Sequence, residues 1–115
     1  TVAGSAALRG ALFSTISDAR FGQFSESYKS RFGAAPHRIS TLGYDAVLLA
    51  NKIAGGWRVG TPFPIAQLVD DGGFSGIDGA FRFGRDGIAE RMLEVQQINA
   101  TGFAVIAPAP RSFSK

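Results

Sequence analysis

Between positions 72 and 87 the chain reads GGFSGIDGAFRFGRDG, a stretch holding six of its fifteen glycines with Phe74, Phe81 and Phe83 set between them. Glycine accepts positive φ and lets other groups approach the backbone closely. Gly72-Gly73, Asp78-Gly79 and Gly84-Arg85-Asp86-Gly87 therefore predict turns around a short aromatic strand. Such a run dictates backbone shape and carries almost no reactive chemistry.

The hydrophobic period changes at this run. Beyond it, Ala80–Phe83, Arg91–Ile98 and Phe103–Ala107 have strand character. They are joined by Gly84–Gly87 and by Asn99-Ala100-Thr101-Gly102, which predicts antiparallel hairpins. Pro108 and Pro110 end the last strand. Ahead of the run, Gly10–Ile16 is a short, partly β-branched segment that predicts one early strand, with Asp18 as the N-cap of a following helix. Phe21, Phe24, Tyr28 and Phe32 recur at spacings of three and four, forming an aromatic stripe, while Glu26, Lys29 and Arg31 stay in water. Gly33 and Pro36 close that helix. Ser40 or Thr41 caps a second helix that turns Leu42, Ala46, Leu49, Ala50 and Ile53 inward and stops at Gly55-Gly56. Thr61-Pro62 repeats the start signal for a third helix over Pro62–Asp71, with Ile65, Leu68 and Val69 inward.

The resulting order is one early strand, three helices, then antiparallel strands: a lopsided α/β unit whose amphipathic helices outnumber the sheet surface available to them. Part of the apolar area is accordingly expected to face protein outside these residues. At 115 residues, 45% hydrophobic and 18% charged, the chain suits one ordinary globular domain or a piece of a larger one. Its net charge of +3 is scattered from Arg9 to Lys115 and never forms a run of three, which argues against a nucleic-acid surface. With no cysteine there is no disulfide frame, thiolate nucleophile or Cys-based zinc site. No apolar run approaches the roughly 18 residues of a membrane span. Thr1–Ala7 lacks the basic and apolar regions of a signal peptide, so the expectation is either that the mature chain starts elsewhere or that this is an internal piece, with any signal lying upstream.

The catalytic inventory is nearly empty. Gly73, Gly76 and Gly79 do not fit a dinucleotide fingerprint, because they precede a strand and not a helix, and no phosphate-loop motif occurs. His37 is the sole histidine, without a second imidazole for a metal. Asp70-Asp71 reads as a solvated helix end, and Asp78 and Asp86 as turn aspartates bonded to their own backbone. Ser14, Thr15 and Ser17 offer hydroxyls, but the one histidine lies in a different loop; a hydrolase would need His37 beside Ser14 or Ser17 in space. Asn99-Ala100-Thr101 fits a hairpin turn better than a glycosylation acceptor. Trp57 reads as a cap over the second helix, with an exposed stacking platform as the other reading.

Three stretches in order carry a resemblance: Phe24–Pro36 (FSESYKSRFGAAP), Gly43–Val47 (GYDAV) and Phe74–Gly87 (FSGIDGAFRFGRDG), followed by the strand Arg91–Ile98. The Y-x-x-x-[FY]-G-x-x-P helix end, the Y-D-A helix start and the F-x-G-x-x-G-x-[FIL]-x-F-x-x-x-G hairpin together resemble the C-terminal portion of type I periplasmic ligand-binding proteins. These are the leucine/isoleucine/valine-binding receptors of ABC importers. The tail Pro108–Phe113 is additionally similar to a proteobacterial branch labelled penicillin-binding protein activator. The likeness spans about Gly10 to Phe113.

The resemblance implies an α/β fold that is a C-terminal fragment of a two-lobed binding protein. Residues 1–17 and about 89–115 would belong to the C-terminal lobe, and about 18–88 to the N-terminal lobe. It implies a non-enzymatic, extracytoplasmic solute-binding component, periplasmic or lipid-anchored, that closes its lobes over an amino acid or similar small ligand and is read by an ABC permease. The alternative is a regulatory protein–protein module of the same fold, partnered by a cell-wall synthase. In either case the remainder of the polypeptide, or a swapped copy of the chain, would cover the bare helices. The family stretch bordering the cleft corresponds to His37–Tyr44, which makes Ile39 and Tyr44 the candidate ligand-binding residues; packing at a lobe boundary is the equal alternative. No catalytic residue, metal or cofactor is implied.

Overall fold

The computed structural model describes residues 4–113, so the lobe assignments made for residues 1–3 and 114–115 lie outside the described residues. Two α-helices and six strands follow a 3-10 turn at Ala6–Leu8: β1 (Leu12–Thr15), α1 (Phe21–Phe32), α2 (Ser40–Ala54), β2 (Phe74–Gly76), β3 (Gly79–Phe83), β4 (Ala89–Arg91), β5 (Glu94–Asn99) and β6 (Gly102–Ala107). The strands make two separate antiparallel sheets, β1-β5-β6 and β2-β3-β4. Leu12 pairs with Gln97 and Thr15 with Glu94 in the first, and Phe81 sits between Phe74 and Arg91 in the second.

The chain passes between the sheets three times. The link from β1 to α1 is the first crossing and Met92-Leu93, from β4 to β5, the second. On the third, the tail after β6 brings Phe113 back under Arg82, whose guanidinium carbon lies 4.4 Å from the ring centroid. The predicted strand Arg91–Ile98 is thus two strands in two sheets. Both halves are extended, so periodicity alone does not mark the break between them.

The glycine run forms β2, β3 and the turn into β4. Gly73 (φ 68°), Gly79 (φ 101°) and Gly87 (φ 80°) all occupy left-handed conformations. At Gly73 a Cβ would come within 2.6 Å of the Phe81 carbonyl oxygen, so glycine is needed there for space as well as for φ. Asp86 accepts from the Ile88 amide at 3.0 Å and is the turn aspartate expected of it.

Three expectations about the helices are corrected. The third helix is a single 3-10 turn at Ile65–Gln67, with Ile65 exposed. Pro64 removes an amide donor and pushes Phe63 out of the helical region, cancelling the start signal at Thr61-Pro62. Asp18 is not a side-chain cap: α1 begins after Arg20, the Asp18 carbonyl accepts from Phe21, and the Asp18 carboxylate is bound to Arg38. Ser40 and Thr41 likewise do not cap α2, whose N-cap residue is Ile39 with no side-chain cap bond.

The inward face of α2 is the row Thr41, Asp45, Leu49, Ile53, spaced by four, whereas Leu42, Ala46 and Ala50 are exposed. Leu49 and Ile53 face inward as expected, whereas Thr41 and Asp45 take the places expected of Leu42 and Ala46, because the row that packs carries two polar residues. Ile53 is buried, as are Phe74, Ala80 and Phe81 of the second sheet, Ile98 of the first, and Phe113. Cations cover the aromatic edge of this core: Lys52 Nζ stands 4.8 Å from the Phe74 centroid and the Arg91 guanidinium 5.0 Å from that of Phe81.

In the first sheet β6 is bare. Phe103, Val105 and Ile106 of β6, a strand whose pairing with β5 shifts register at Ile106, are all about half exposed. The radius of gyration is 17.4 Å, against about 13 Å for a compact domain of this length. The exposed surface is 8157 Å², against roughly 6,000 Å² for a folded monomer of this mass. Both excesses reflect apolar faces with nothing packed on them among the described residues.

Candidate functional site

The lead-in to α2 is held by a charge network that ties together three parts of the chain. Arg38 Nη1 donates to Asp78 Oδ1 at 2.7 Å and to Thr41 Oγ1 at 3.1 Å, while Nε donates to Asp18 Oδ1 at 3.0 Å. The Thr41 hydroxyl is 2.7 Å from Asp78 Oδ2 and 3.1 Å from the Arg38 carbonyl. Thr41 and Asp78 are buried, at 0% and 1% exposure, and Asp18 is largely in water. Arg38 Nη2 lies 2.9 Å from Asp18 Oδ1, close enough to share charge but too poorly aligned for a hydrogen bond. The Arg38 guanidinium also covers the Phe21 ring at 4.6 Å. Burial opposes its charge, but the hydrogen bonds and charges of Asp78 and Asp18 outweigh that cost and hold its pKa above the usual arginine value.

Asp78 is therefore not a turn aspartate. It sits in the two-residue turn Ile77-Asp78 between β2 and β3, and its carboxylate reaches away from its own backbone into the base of α2. One turn further along α2, Asp45 makes the matching connection. It is 3% exposed and accepts the Ile77 amide at 2.7 Å, with Arg91 Nη1 3.8 Å from its other oxygen. That oxygen and Arg91 Nη1 both lack a hydrogen-bond partner. Gly76 makes room for this carboxylate, since a Cβ there would collide with all three of its atoms.

Apart from Arg38 Nη2, the polar groups of Arg38, Thr41 and Asp78 are bonded to one another or to Asp18, so the network positions backbone. What it positions is the segment His37–Tyr44. Ile39 projects from the start of α2 at 71% exposure; Tyr44 is half exposed, with its ring edge-on to Phe24 at a centroid distance of 5.4 Å. Five positions on a helix separate them by about 140°, so the two do not share a face. Tyr44 joins the aromatic stripe of α1, where Phe21, Phe24, Tyr28 and Phe32 follow at centroid distances of 6.2, 6.0 and 4.6 Å.

Arg38 and Asp45 were not singled out by composition or spacing. Their one signal was position: Arg38 in the segment His37–Tyr44 and Asp45 inside the GYDAV stretch. His37 is exposed, and its side chain makes no hydrogen bond among the described residues, while Ser17 Oγ accepts from the Ala19 amide at 3.3 Å. Asp70 accepts from the Gly72 amide, and Asn99 from the Thr101 amide and hydroxyl, as turn residues do. The Trp57 indole donates to the Thr61 carbonyl and stacks edge-on against Phe63, so it closes the following loop and does not cap α2. Among the described residues no cluster of His, Cys, Asp or Glu is placed to hold a metal ion, and no helix is long and apolar enough to cross a membrane.

No protein-family model and no curated protein matches the chain. Among solved structures it is similar to one from Rhodospirillum rubrum assigned to a branched-chain amino acid ABC transporter. The two share 24% sequence identity and a TM-score of 0.68 over 90% of this chain. A second similar structure, with 24% identity and a TM-score of 0.48, is the leucine-binding protein LivK of Thermotoga maritima. This chain covers 32% of the length of each. The fold is thus that of part of a periplasmic binding protein.

Proposed function

We propose that this chain is the C-terminal portion of an extracytoplasmic solute-binding protein that serves an ABC importer and closes two lobes over an amino acid or similar small ligand. The observation that carries the reading is the likeness, at TM-score 0.68, to a protein assigned to a branched-chain amino acid ABC transporter. The three crossings between two sheets that share no strand support it further, since chain passages of this kind are what a hinge between lobes requires.

In this reading β1, β5 and β6 belong to the C-terminal lobe and the helices with β2 and β3 to the N-terminal lobe. Although β4 falls on the C-terminal side of a boundary at about 89, it goes with the N-terminal lobe because it pairs with β3. Ile39 borders the cleft and Tyr44 braces it. Arg38, Thr41 and Asp78 fix the loop that presents Ile39. Contacts made by both lobes in the closed form shift the population toward it, and the membrane partner reads the closed shape. The ligand-anchoring residues lie in the larger part of the protein. That part also covers the apolar faces left open here; a swapped second copy of the chain would serve the same purpose.

The test is titration of the full-length protein with amino acids, small aromatic acids and peptides, followed by tryptophan fluorescence. Saturable change with one ligand class supports the reading. Silence together with specific capture of a cell-wall synthase would replace it with the regulatory module.

A further inference from the structure

A cavity of about 350 Å³ opens where the chain crosses between the sheets. Its volume falls within the range of roughly 300–1,000 Å³ typical of small-ligand sites. The link between β1 and α1 contributes Ser17 and Arg20, the β2–β3 hairpin Ser75 and Ile77, and the tail after β6 Pro108 and Arg111. Neither Ile39 nor Tyr44 lines it.

The charge of this cavity is one-sided. No carboxylate lines it, although Asp18 and Asp78 each stand between two lining residues in sequence. Arg38 accounts for this: it draws both carboxylates into its own network, with Asp78 almost fully buried there. Arg20 is left with neutral partners only, donating from Nη1 to Ser75 Oγ at 3.3 Å and to the Gly76 carbonyl at 3.2 Å. Those bonds orient the guanidinium without cancelling its charge. Arg111 is exposed and has no acidic partner within ion-pair distance among the described residues. Two uncompensated guanidinium groups beside hydroxyls and an apolar wall match an anionic head with a short apolar body, because the planar donor fork of arginine fits oxyanions.

We propose that this cavity binds a small ligand bearing a carboxylate or phosphate group, held between Arg20 and Arg111. Because the lining comes from the β2–β3 hairpin and from the two segments that lead out of β1 and β6, an occupant ties the second sheet to those segments and favours one arrangement of them over others. The site is independent of the solute-binding reading and stands or falls separately from it.

Equilibrium dialysis of the full-length protein against labelled succinate and, separately, labelled inorganic phosphate at constant ionic strength tests the proposal. Saturable, stoichiometric uptake of either is expected, and which of the two binds identifies the head group. Hydrogen exchange should slow in residues 17–20, 75–79 and 109–111. Arg20→Gln and Arg111→Gln should each weaken binding by roughly tenfold or more, Arg20→Lys less, and Arg58→Gln not at all. Absence of saturable uptake of both anions would overturn it. So would protection or loss of affinity spread evenly over all arginines, which marks nonspecific charge attraction. If a glutamine variant does not fold, the exchange pattern of the unaltered protein decides.

Discussion

Thr41 and Asp78 stand 37 positions apart and meet through a 2.7 Å hydrogen bond from hydroxyl to carboxylate, with both side chains buried. This contact fastens the first turn of α2 to the β2–β3 hairpin, and Arg38 completes it. Removing the carboxylate takes away the buried acceptor of both, leaving the Thr41 hydroxyl only the Arg38 carbonyl and the guanidinium only the solvated Asp18. Asp78→Ala should therefore cost about 3 kcal/mol, the low end for orphaning a buried ion pair, because Arg38 keeps a third of its side chain in water. Thr41→Val should cost about 1–3 kcal/mol by leaving Asp78 under-satisfied. Urea unfolding at low protein concentration measures both. Strict additivity in the double variant would show that the two side chains are not coupled.

The Arg38 charge gives a pH prediction with a definite sign. A cation whose folded pKa is raised contributes stability that is fully present below its unfolded value, and loses it only as pH rises through the folded one. Both lie above the physiological range. The cost of Arg38→Met should accordingly be the same at about pH 6 and about pH 9. A cost that shrinks between those values would mean that another group carries the linkage.

Gly76 is fitted to Asp45. The carboxylate is held by the Ile77 amide at 2.7 Å and has Arg91 within 3.8 Å, so it cannot swing aside to admit a methyl group. Gly76→Ala should destabilise the hairpin by about 1–3 kcal/mol through overpacking. Adding Asp45→Ala should then cost less than it does in the unaltered background. Equal costs in the two backgrounds would place the strain elsewhere.

The glycine run was legible because φ and close approach are local: Gly73, Gly79 and Gly87 sit in the turns that their neighbours predict. The helices were legible as periods, and their ends less so. Pro64 outweighed the start signal at Thr61-Pro62, and the face of α2 was misjudged because its buried row opens with Thr41 and Asp45, which look like surface residues in sequence. The Arg38–Thr41–Asp78 network was illegible for the same reason that it is stable. Its members come from separate segments, and each has an ordinary local explanation: a loop arginine, a cap and a turn aspartate. Ile39 and Tyr44 entered through the resemblance alone; their positions give one exposed side chain and one that braces α1.

The last prediction concerns β6. The sheet order β1-β5-β6 makes it an edge strand, its sequence GFAVIA is uncharged and apolar, and Phe103, Val105 and Ile106 are all about half exposed. An edge of that kind pairs with another copy unless something blocks it. On α2, Ile39 at 71% and Val47 at 61% exposure add a second apolar surface. The 115-residue chain in isolation should self-associate at micromolar concentration. Val105→Lys should suppress edge pairing, and Val47→Glu should weaken association through the helix. Sedimentation velocity separates the two routes: a monomer that melts cooperatively at about 10 µM would refute the prediction. Association insensitive to Val105→Lys but lost with Val47→Glu would move the contact from the strand edge to the helix face.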